Sequence, residues 1–372
     1  MDVSMERIHR RSATGPGPAD SSVGLILVVN AGSKSLKLDT VDEDERTVPL
    51  DSFDAAPPGL TAVAHRLVHG GSRFRDPVVI DPVVREEIRE LISLAPLHNA
   101  PALDAIEVAQ RALPGIPHVA VFDTWFHRTI PDEAAVYAVP RPWLEDWGIR
   151  RYGFQGLSVE WCAQRVPELL GHAVDRLVVC HLGGGSSVTA VRSGKSVDTT
   201  MGFTPLEGVP MTTRAGSIDP GALLYVLREG HLNVESLDHV LNFDSGVEGL
   251  AGGAGGMIDV ENRAQSGDRD AVLALDVMLH HLASAVAAMA ASAGGLDALA
   301  FTAGIGEGSA LVRERLCARL GFLGVELDRG RNQNVAPDCD VSTDRSRVRV
   351  LVVRAREELI AARAARTLLS LD

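Results

Sequence analysis

The feature that most constrains this chain is a pattern that occurs twice. Residues 25–40, "LILVVNAGSKSLKLDT", form an apolar run that stops in a small polar turn and resumes as alternating apolar and polar positions. Residues 176–199, "RLVVCHLGGGSSVTAVRSGKSVDT", repeat that order and add a hairpin signal at "RSGK". An apolar run halted by Gly and Ser reads as a buried strand, and period-two alternation reads as a second strand returning beside it. Two such units predict two halves built on one plan.

The remaining segments mix strands with helices, so the class is α/β. "LTAVAHRLVHGG" predicts a strand ending at a glycine pair, residues 82–94 have apolar positions at helical spacing, and "APLHNAPALDAIEVAQRAL" predicts a helix starting after its prolines. "HVAVFDTWFH" predicts a short buried strand whose carboxyl end presents Asp123, the end at which open α/β sheets bind ligands. "VDEDERTVPLDSFDAAPPG" reads as an acidic connection. An Ala- and Leu-rich helix over 269–293 leads into "LDALAFTAGIGEGSALVRERLC", a strand, a glycine turn and a helix. "RVRVLVVRAREELIAARAARTLL" closes the chain as a strand entering a helix.

A length of 372 residues suits two domains. No apolar run approaches the ~20 residues of a membrane span, so no membrane partner is expected. The net charge of −13 argues against nucleic acid and anionic membranes. It leaves room for a small anion, because a few arginines make one pocket positive. Cys162, Cys180, Cys317 and Cys339 form no CxxC pair, which predicts buried free thiols in a reducing, cytoplasmic setting. Residues 1–22 contain no apolar core of a secretory signal and read as a disordered leader.

Three strand ends run into glycine turns: "NAGSKS", "HLGGGSS" and "AGIGEGS". Backbone N–H groups in such turns approach phosphate oxygens without a Cβ in the way. One glycine turn is weak evidence, whereas three at strand ends point to a polyphosphate. Neither GxxxxGK[ST] nor a GxGxxG between strand and helix is present.

With "VVNAGSKSLK", "HRLVHGG", "APLHN", "VFDTWFH", "RRYGFQGLS", "HLGGGSS", "MGFTPLEGVPMTTRAGSIDPG", "FTAGIGEG" and "REELIAAR" in that order, the chain resembles the acetate kinases and related short-chain acyl kinases. These belong to the sugar kinase/Hsp70/actin superfamily, and the resemblance runs from residue 25 nearly to the end. It implies a duplicated two-domain fold with mixed sheets flanked by helices. An N-terminal domain, 23–148, would be joined by the C-terminal helix, 358–372, and 149–357 would form the nucleotide-binding domain. It also implies reversible phosphoryl transfer between ATP and acetate or propionate, giving acyl phosphate and ADP, with Mg²⁺ or Mn²⁺, in a homodimer. An acceptor carboxylate is already ionised, so such chemistry needs alignment and positive charge rather than a general base.

By the same resemblance, Arg66 and Arg214 contact the acyl carboxylate and the transferring phosphoryl group, where a guanidinium fork suits both. Asn30 and Glu357 match positions that hold Mg²⁺ through water, and Asp123 serves the metal or positions the phosphoryl. Ser33, Ser35 and Lys37 steady the phosphates. His181, Gly183, Gly184, Gly185, Gly304, Gly306 and Glu307 fall in the nucleotide-binding turns. Val68, Leu97, Phe154 and Pro205 match the pocket for the methyl group. One methylene changes binding there by only ~1–3 kcal/mol, which leaves propionate as a second substrate.

The chain departs from the family pattern at several places. Gln155 stands where histidine contacts the transferring phosphoryl group, and Leu157 and Val159 replace polar positions. Gly184 and Gly308 stand where asparagine is usual, and Ser217 replaces an aspartate. Gly256, Met257 and Ile258 replace an acidic residue and an arginine that flank the adenosine. Three readings follow: an acetate kinase using ATP, an acyl kinase using another donor such as pyrophosphate or a different nucleotide, and a non-catalytic sensor of nucleotide or acyl phosphate.

Overall fold

The computed structural model describes residues 24–32, 36–253 and 255–371. The leader, Ser33 and Ser35 lie outside the described residues. Six strands build the first sheet: β1 (Leu25–Ala31), β2 (Leu36–Val41), β3 (Thr47–Leu50), β4 (Leu60–Leu67), β5 (Val78–Val79) and β6 (His118–Phe122). Six more build the second: β7 (Arg176–Leu182), β8 (Ser186–Arg192), β9 (Lys195–Thr199), β10 (Ala298–Thr302), β11 (Cys339–Asp340) and β12 (Arg349–Val352).

Their orders are β3-β2-β1-β4-β6-β5 and β9-β8-β7-β10-β12-β11, so each strand of one sheet has a counterpart six places later in the other. The directions repeat too. The central pairs β1–β4 and β4–β6 are parallel, as are β7–β10 and β10–β12. The outer pairs are antiparallel in both sheets. The twofold plan predicted from the sequence is thus present down to the short edge strand that precedes each sixth strand.

Both faces of each sheet are covered, which explains why β1 and β7 read as continuous apolar runs. Leu27, Val63 and Phe122 pack under the helices Pro82–Glu90 and Pro96–Ala112, through Ile88, Leu103 and Ile106. The opposite face, with Ile26, Ala64 and Val121, meets Val179, Ala300 and Leu351 of the second sheet. Between the two sheets lie the helix Gly156–Leu170 and the C-terminal helix Glu357–Leu369. The far face of the second sheet, with Val178, Phe301 and Val350, packs on the helix Arg269–Ala293 through Leu275, Leu279 and Val286. Buried Arg366 fastens the C-terminal helix to the first sheet by donating to the carbonyls of Gly24, Val41 and Asp42.

Four readings of the sequence need correction. The acidic connection contains an edge strand, β3, whose four residues and Pro49 hide it from a periodicity search. The helix read as starting after its prolines begins at Pro96 and includes Pro101 in its second turn. The two-residue strands β5 and β11 are too short to show in the sequence. Finally, Arg269–Ala293 is long and apolar enough, by length and composition, to cross a membrane. Its apolar face is spent on the core just described. The "RSGK" hairpin is present, with Ser193 and Gly194 both at positive φ as a tight two-residue turn requires.

The cores enclose several histidines. His65 and His118 meet ring to ring, Nε2 to Nδ1, at 2.9 Å, and burial holds His65 well below its ordinary pKa of 6.5. Burial likewise holds His69 and His127 at about 4. As pH falls from 6.5 to about 4, the unfolded chain takes up protons that these folded histidines refuse. Glu160, lifted to about 7 by burial, and Asp123, lifted to about 6, act in the opposite sense but are outnumbered. Stability, followed by urea unfolding, is therefore full above pH 6.5 and falls by about 1.4 kcal/mol per pH unit for each net proton. A flat profile between pH 6.5 and 4.5 would refute this.

Candidate active site

The parallel strands at the centre of each sheet deliver their carboxyl ends to one cleft, as the topology of open α/β sheets demands. In the first sheet β1 brings Asn30 beside Arg66 of β4, its register partner. The next strand, β6, ends immediately before Asp123, and the C-terminal helix starts at Glu357. From the second sheet β7 brings His181, and the β7–β8 turn brings Gly184 and Gly185. All of these residues line a cleft of about 470 Å³, together with Lys37, Val68, His98, Phe154, Gln155, Pro205 and Arg214.

Arg66 is held by three hydrogen bonds. Its Nε and Nη2 donate to the two carboxylate oxygens of Asp123 at 2.8 and 2.6 Å, and Nη1 donates to Asn30 Oδ1 at 3.0 Å. Glu357 stands 3.4 Å from its Nε. Burial opposes the charge of Arg66, but Asp123 and Glu357 overcome it and hold the guanidinium above its usual pKa. Burial lifts Asp123 to about 6, with Arg66 opposing and Glu357 assisting, so the pair is ionised at neutral pH. Asn30, Asp123 and Glu357 offer hard oxygen donors at one edge of the cleft. No group of three or more His, Cys, Asp or Glu side chains assembles for a metal among the described residues. Such a sparse oxygen set fits a partly hydrated Mg²⁺ that takes its other ligands from phosphate and water.

Arg214 is the opposite case. It is largely buried, and that burial lowers its pKa. Its contacts are the Pro205 carbonyl and His98 Nε2, both at 3.4 Å, and no carboxylate pairs with it among the described residues. Burial first, then Arg214 and Arg66, holds His98 at about 4, so the ring is neutral. Gln155 sits at the left-handed φ of +61° just before the helix Gly156–Leu170. Its Oε1 accepts from Ser187 Oγ at 2.6 Å, which fixes the amide and leaves Nε2 facing the cleft. A Cβ at Gly185 would lie 3.2 Å from that Nε2, 3.3 Å from Arg214 Nη1 and 3.6 Å from Met201 Cε. Glycine therefore keeps open a hollow on which two N–H donors converge. His181, buried and held at about 4, turns Nδ1 to Ser158 Oγ at 2.9 Å.

Below the hollow, Val68, Phe154, Met201 and Met211 form a small apolar cluster. Val68, Phe154 and Pro205 were named from sequence, and Met201 was missed. The backbone of Leu97 lies in the helix Pro96–Ala112, and its side chain is outside the described residues. Arg151 braces this wall by donating through Nη1 to the carbonyls of Thr199, Thr200 and Met201 while Nη2 pairs with Glu207.

On the other side of Asn30 and His181 the cleft opens into a space of about 540 Å³ lined by Lys37, Gly183, Gly184, Gly304, Glu307 and Glu358. Open space faces Gly184 and Gly304, as backbone contact with a ligand requires, whereas Gly306 packs on Phe301 and Cys180. The Glu307 carboxylate accepts from the backbone N–H of Ala303 and of Ala355, tying the glycine turn to the approach of the C-terminal helix. Met257 is buried in the core and Ile258 is 78% exposed; neither they nor Gly256 line either space. Arg313, missed from sequence, is fully buried and donates to the carbonyls of Gly306, Glu307 and Asn332 and to Asn332 Oδ1. An arginine on an amphipathic helix ordinarily reads as a surface residue, so its role was invisible.

Residues 47–363 match the model of the acetokinase family. A protein of Nostoc punctiforme named acetate kinase is 49% identical over 301 residues, 80% of this chain and 74% of that protein. One of Microcystis aeruginosa with the same name is 46% identical over 328 residues, 88% of this chain and 80% of that protein. Among solved structures, a propionate kinase from Francisella tularensis matches with a TM-score of 0.85 at 32% identity, covering 92% of this chain and 98% of that one. The acetate kinase of Porphyromonas gingivalis matches with a TM-score of 0.82 at 32% identity, covering 93% of this chain and all of that one.

Removing Arg313 tests whether the third glycine turn needs outside support. Arg313→Met keeps the stem and leaves buried carbonyls unpaired, at a cost of about 3 kcal/mol. Amides 303–308 should then exchange hydrogen faster than those of β10. Unchanged exchange would mean that the turn holds itself.

Proposed function

The chain belongs to the acetokinase family, and on that premise we propose that its cleft passes a phosphoryl group reversibly between ATP and acetate, giving acetyl phosphate and ADP. The enzyme is a phosphotransferase with a carboxyl group as acceptor. One observation carries the assignment to this cleft. Arg214, buried and without a carboxylate partner among the described residues, shares an open hollow with the Gln155 amide, between an apolar pocket and the glycine turns.

The acetate methyl group lies against Val68, Phe154, Met201 and Pro205. Its carboxylate turns toward Arg214, whose uncompensated charge binds it and draws the γ-phosphoryl close. A carboxylate oxygen attacks phosphorus as the bond to the ADP oxygen breaks, and no proton moves. Charge gathered on the phosphoryl oxygens is met by Arg214 Nη1 and Gln155 Nε2, fixed donors that need not reorganise during the reaction. Arg66, its fork closed on Asp123, places carboxylates and supplies potential rather than a free hand. Lys37 with Ser33 and Ser35, and the turns at Gly183–Gly185 and Gly304, hold the nucleotide phosphates. Mg²⁺, or Mn²⁺ in its place, bound near Asn30, Asp123 and Glu357 with intervening water, would neutralise phosphate oxygens. The pyrophosphate-donor and sensor readings are not favoured beside relatives of such identity named acetate kinase. Propionate remains a second acceptor by the size of the apolar wall.

Residues 23–148 with 358–372, and 149–357, act as two domains about this cleft, a division supported by one sheet in each. A homodimer is supported by the helices Pro220–Arg228 and Val234–Phe243, which bury no residue and expose Leu224, Tyr225, Val234 and Phe243. A cytoplasmic setting is supported by four free cysteines, three of them buried.

Purified protein with acetate, Mg²⁺ and ATP should yield acetyl hydroxamate when product is trapped with hydroxylamine. Arg214→Ala should lower the rate by about 10²-fold or more; product from pyrophosphate alone, or none at all, would overturn the assignment. Ser187→Ala frees the Gln155 amide and should lower kcat by about tenfold, the worth of one buried hydrogen bond, with the KM for acetate nearly unchanged. A rise in KM at constant kcat would instead place Gln155 on the ground-state substrate.

A further inference from the structure

Beside the cleft lies a separate cavity of about 80 Å³ on which four arginines converge: Arg75, Arg128, Arg150 and Arg151. None of its lining residues lines the cleft. In a chain of net charge −13, four guanidinium groups around one small space run against the average and create a local positive potential. We propose that this cavity is a second anion site, which takes a single phosphate group.

Glu207 pairs with Arg151 at 2.9 Å, but the countercharges of the other arginines are weak. Arg128 reaches Asp76, and Arg150 reaches Asp132, each at 3.3 Å, but those carboxylates are 73% and 83% exposed. Solvent screens such pairs to little net worth. Arg75 donates to the Arg128 carbonyl and has no carboxylate partner among the described residues. Arg151 is paired through its terminal nitrogens, yet its Nε is buried without a partner, a state that native structures seldom tolerate. Ser72 and Tyr152 line the same wall; the Tyr152 hydroxyl donates to the Gly148 carbonyl at 2.8 Å, so Ser72 adds a neutral hydrogen-bonding group.

Size selects the ligand class. A space of about 80 Å³ is far below the ~300 Å³ at which drug-sized pockets begin, so it encloses one tetrahedral anion and not a whole nucleotide. Guanidinium forks favour phosphate oxygens over a spherical halide, because two parallel N–H groups match two oxygens. The site also touches the supports of the acyl pocket. His127 lines the cavity, donates through Nε2 to the Phe154 carbonyl at 2.9 Å and accepts at Nδ1 from Ser196 Oγ at 2.9 Å. Thr124, on the same wall, follows Asp123 directly.

The test is calorimetric titration of the full chain with inorganic phosphate, at an ionic strength fixed with chloride. Arg214→Ala weakens the cleft's own hold on phosphate, and the proposed site should survive it with undiminished affinity. Adding Arg75→Ala and Arg150→Ala should weaken that remaining site at least tenfold, with the melting temperature confirming a folded protein. Methyl phosphate binding as tightly as phosphate supports a phosphomonoester as occupant, and binding of inorganic phosphate alone supports the free ion. Absence of phosphate binding in Arg214→Ala, or binding unchanged by the two further substitutions, overturns the proposal. Arg75→Ala alone, in an otherwise native chain, should weaken the second site while kcat stays unchanged, so its outcome does not depend on the catalytic assignment.

Discussion

Much of this site depends on one ion pair, the closed fork between Arg66 and Asp123. It joins the carboxyl end of β4 to that of β6, and through Asn30 and Glu357 it reaches β1 and the start of the C-terminal helix. Taking both charges out of water costs several kcal/mol each, which only close geometry and further hydrogen bonds offset. The Asn30 amide oxygen supplies one of these by accepting from Arg66, and the Gly156 N–H caps the Asp123 carbonyl. Asp123 therefore also sets where the helix Gly156–Leu170 begins, and so where Gln155 points.

That arrangement divides the labour of the two arginines. Three of the five N–H donors of Arg66 are held by Asp123 and Asn30, so its guanidinium is fixed in place and meets the cleft only with the N–H that remains on Nη1 and on Nη2. Arg214, resting on a carbonyl and a neutral histidine, has its charge in reserve. The donors around it do not titrate near neutrality: His98 and His181 are kept neutral by burial, and Gln155 has no proton to lose. Gln155 in the place of a histidine thus leaves a donor in position, provided that Ser187 holds the amide the right way round.

How much was legible follows from how local each signal is. Strands β1 and β7 were readable because a sheet covered on both faces forces uninterrupted apolar runs. The glycine turns after β7 and β10 were readable because Gly184 and Gly304 must face open space. Met201 was not, since an apolar residue in a loop looks like any other core contact until Val68 and Phe154 are seen beside it. Ser187 escaped because its partner Gln155 is 32 residues away, and Arg313 escaped because its bonds to Gly306 and Glu307 require it to turn inward from a helix that reads as amphipathic. The departure at Gly256, Met257 and Ile258 was visible in the sequence, and the structure adds that these residues stand away from both spaces of the cleft.

What the sequence determined by itself was the duplication, the α/β class, the glycine turns at strand ends and the set of polar residues available there. Periodicity and backbone permissiveness are properties of short stretches, so they are written in order along the chain. The tertiary structure decided which arginine is bound and which is free, which way the Gln155 amide faces, and that four arginines share one small cavity. Those outcomes depend on distances between residues far apart in the chain, and only the packing of two sheets against shared helices sets them.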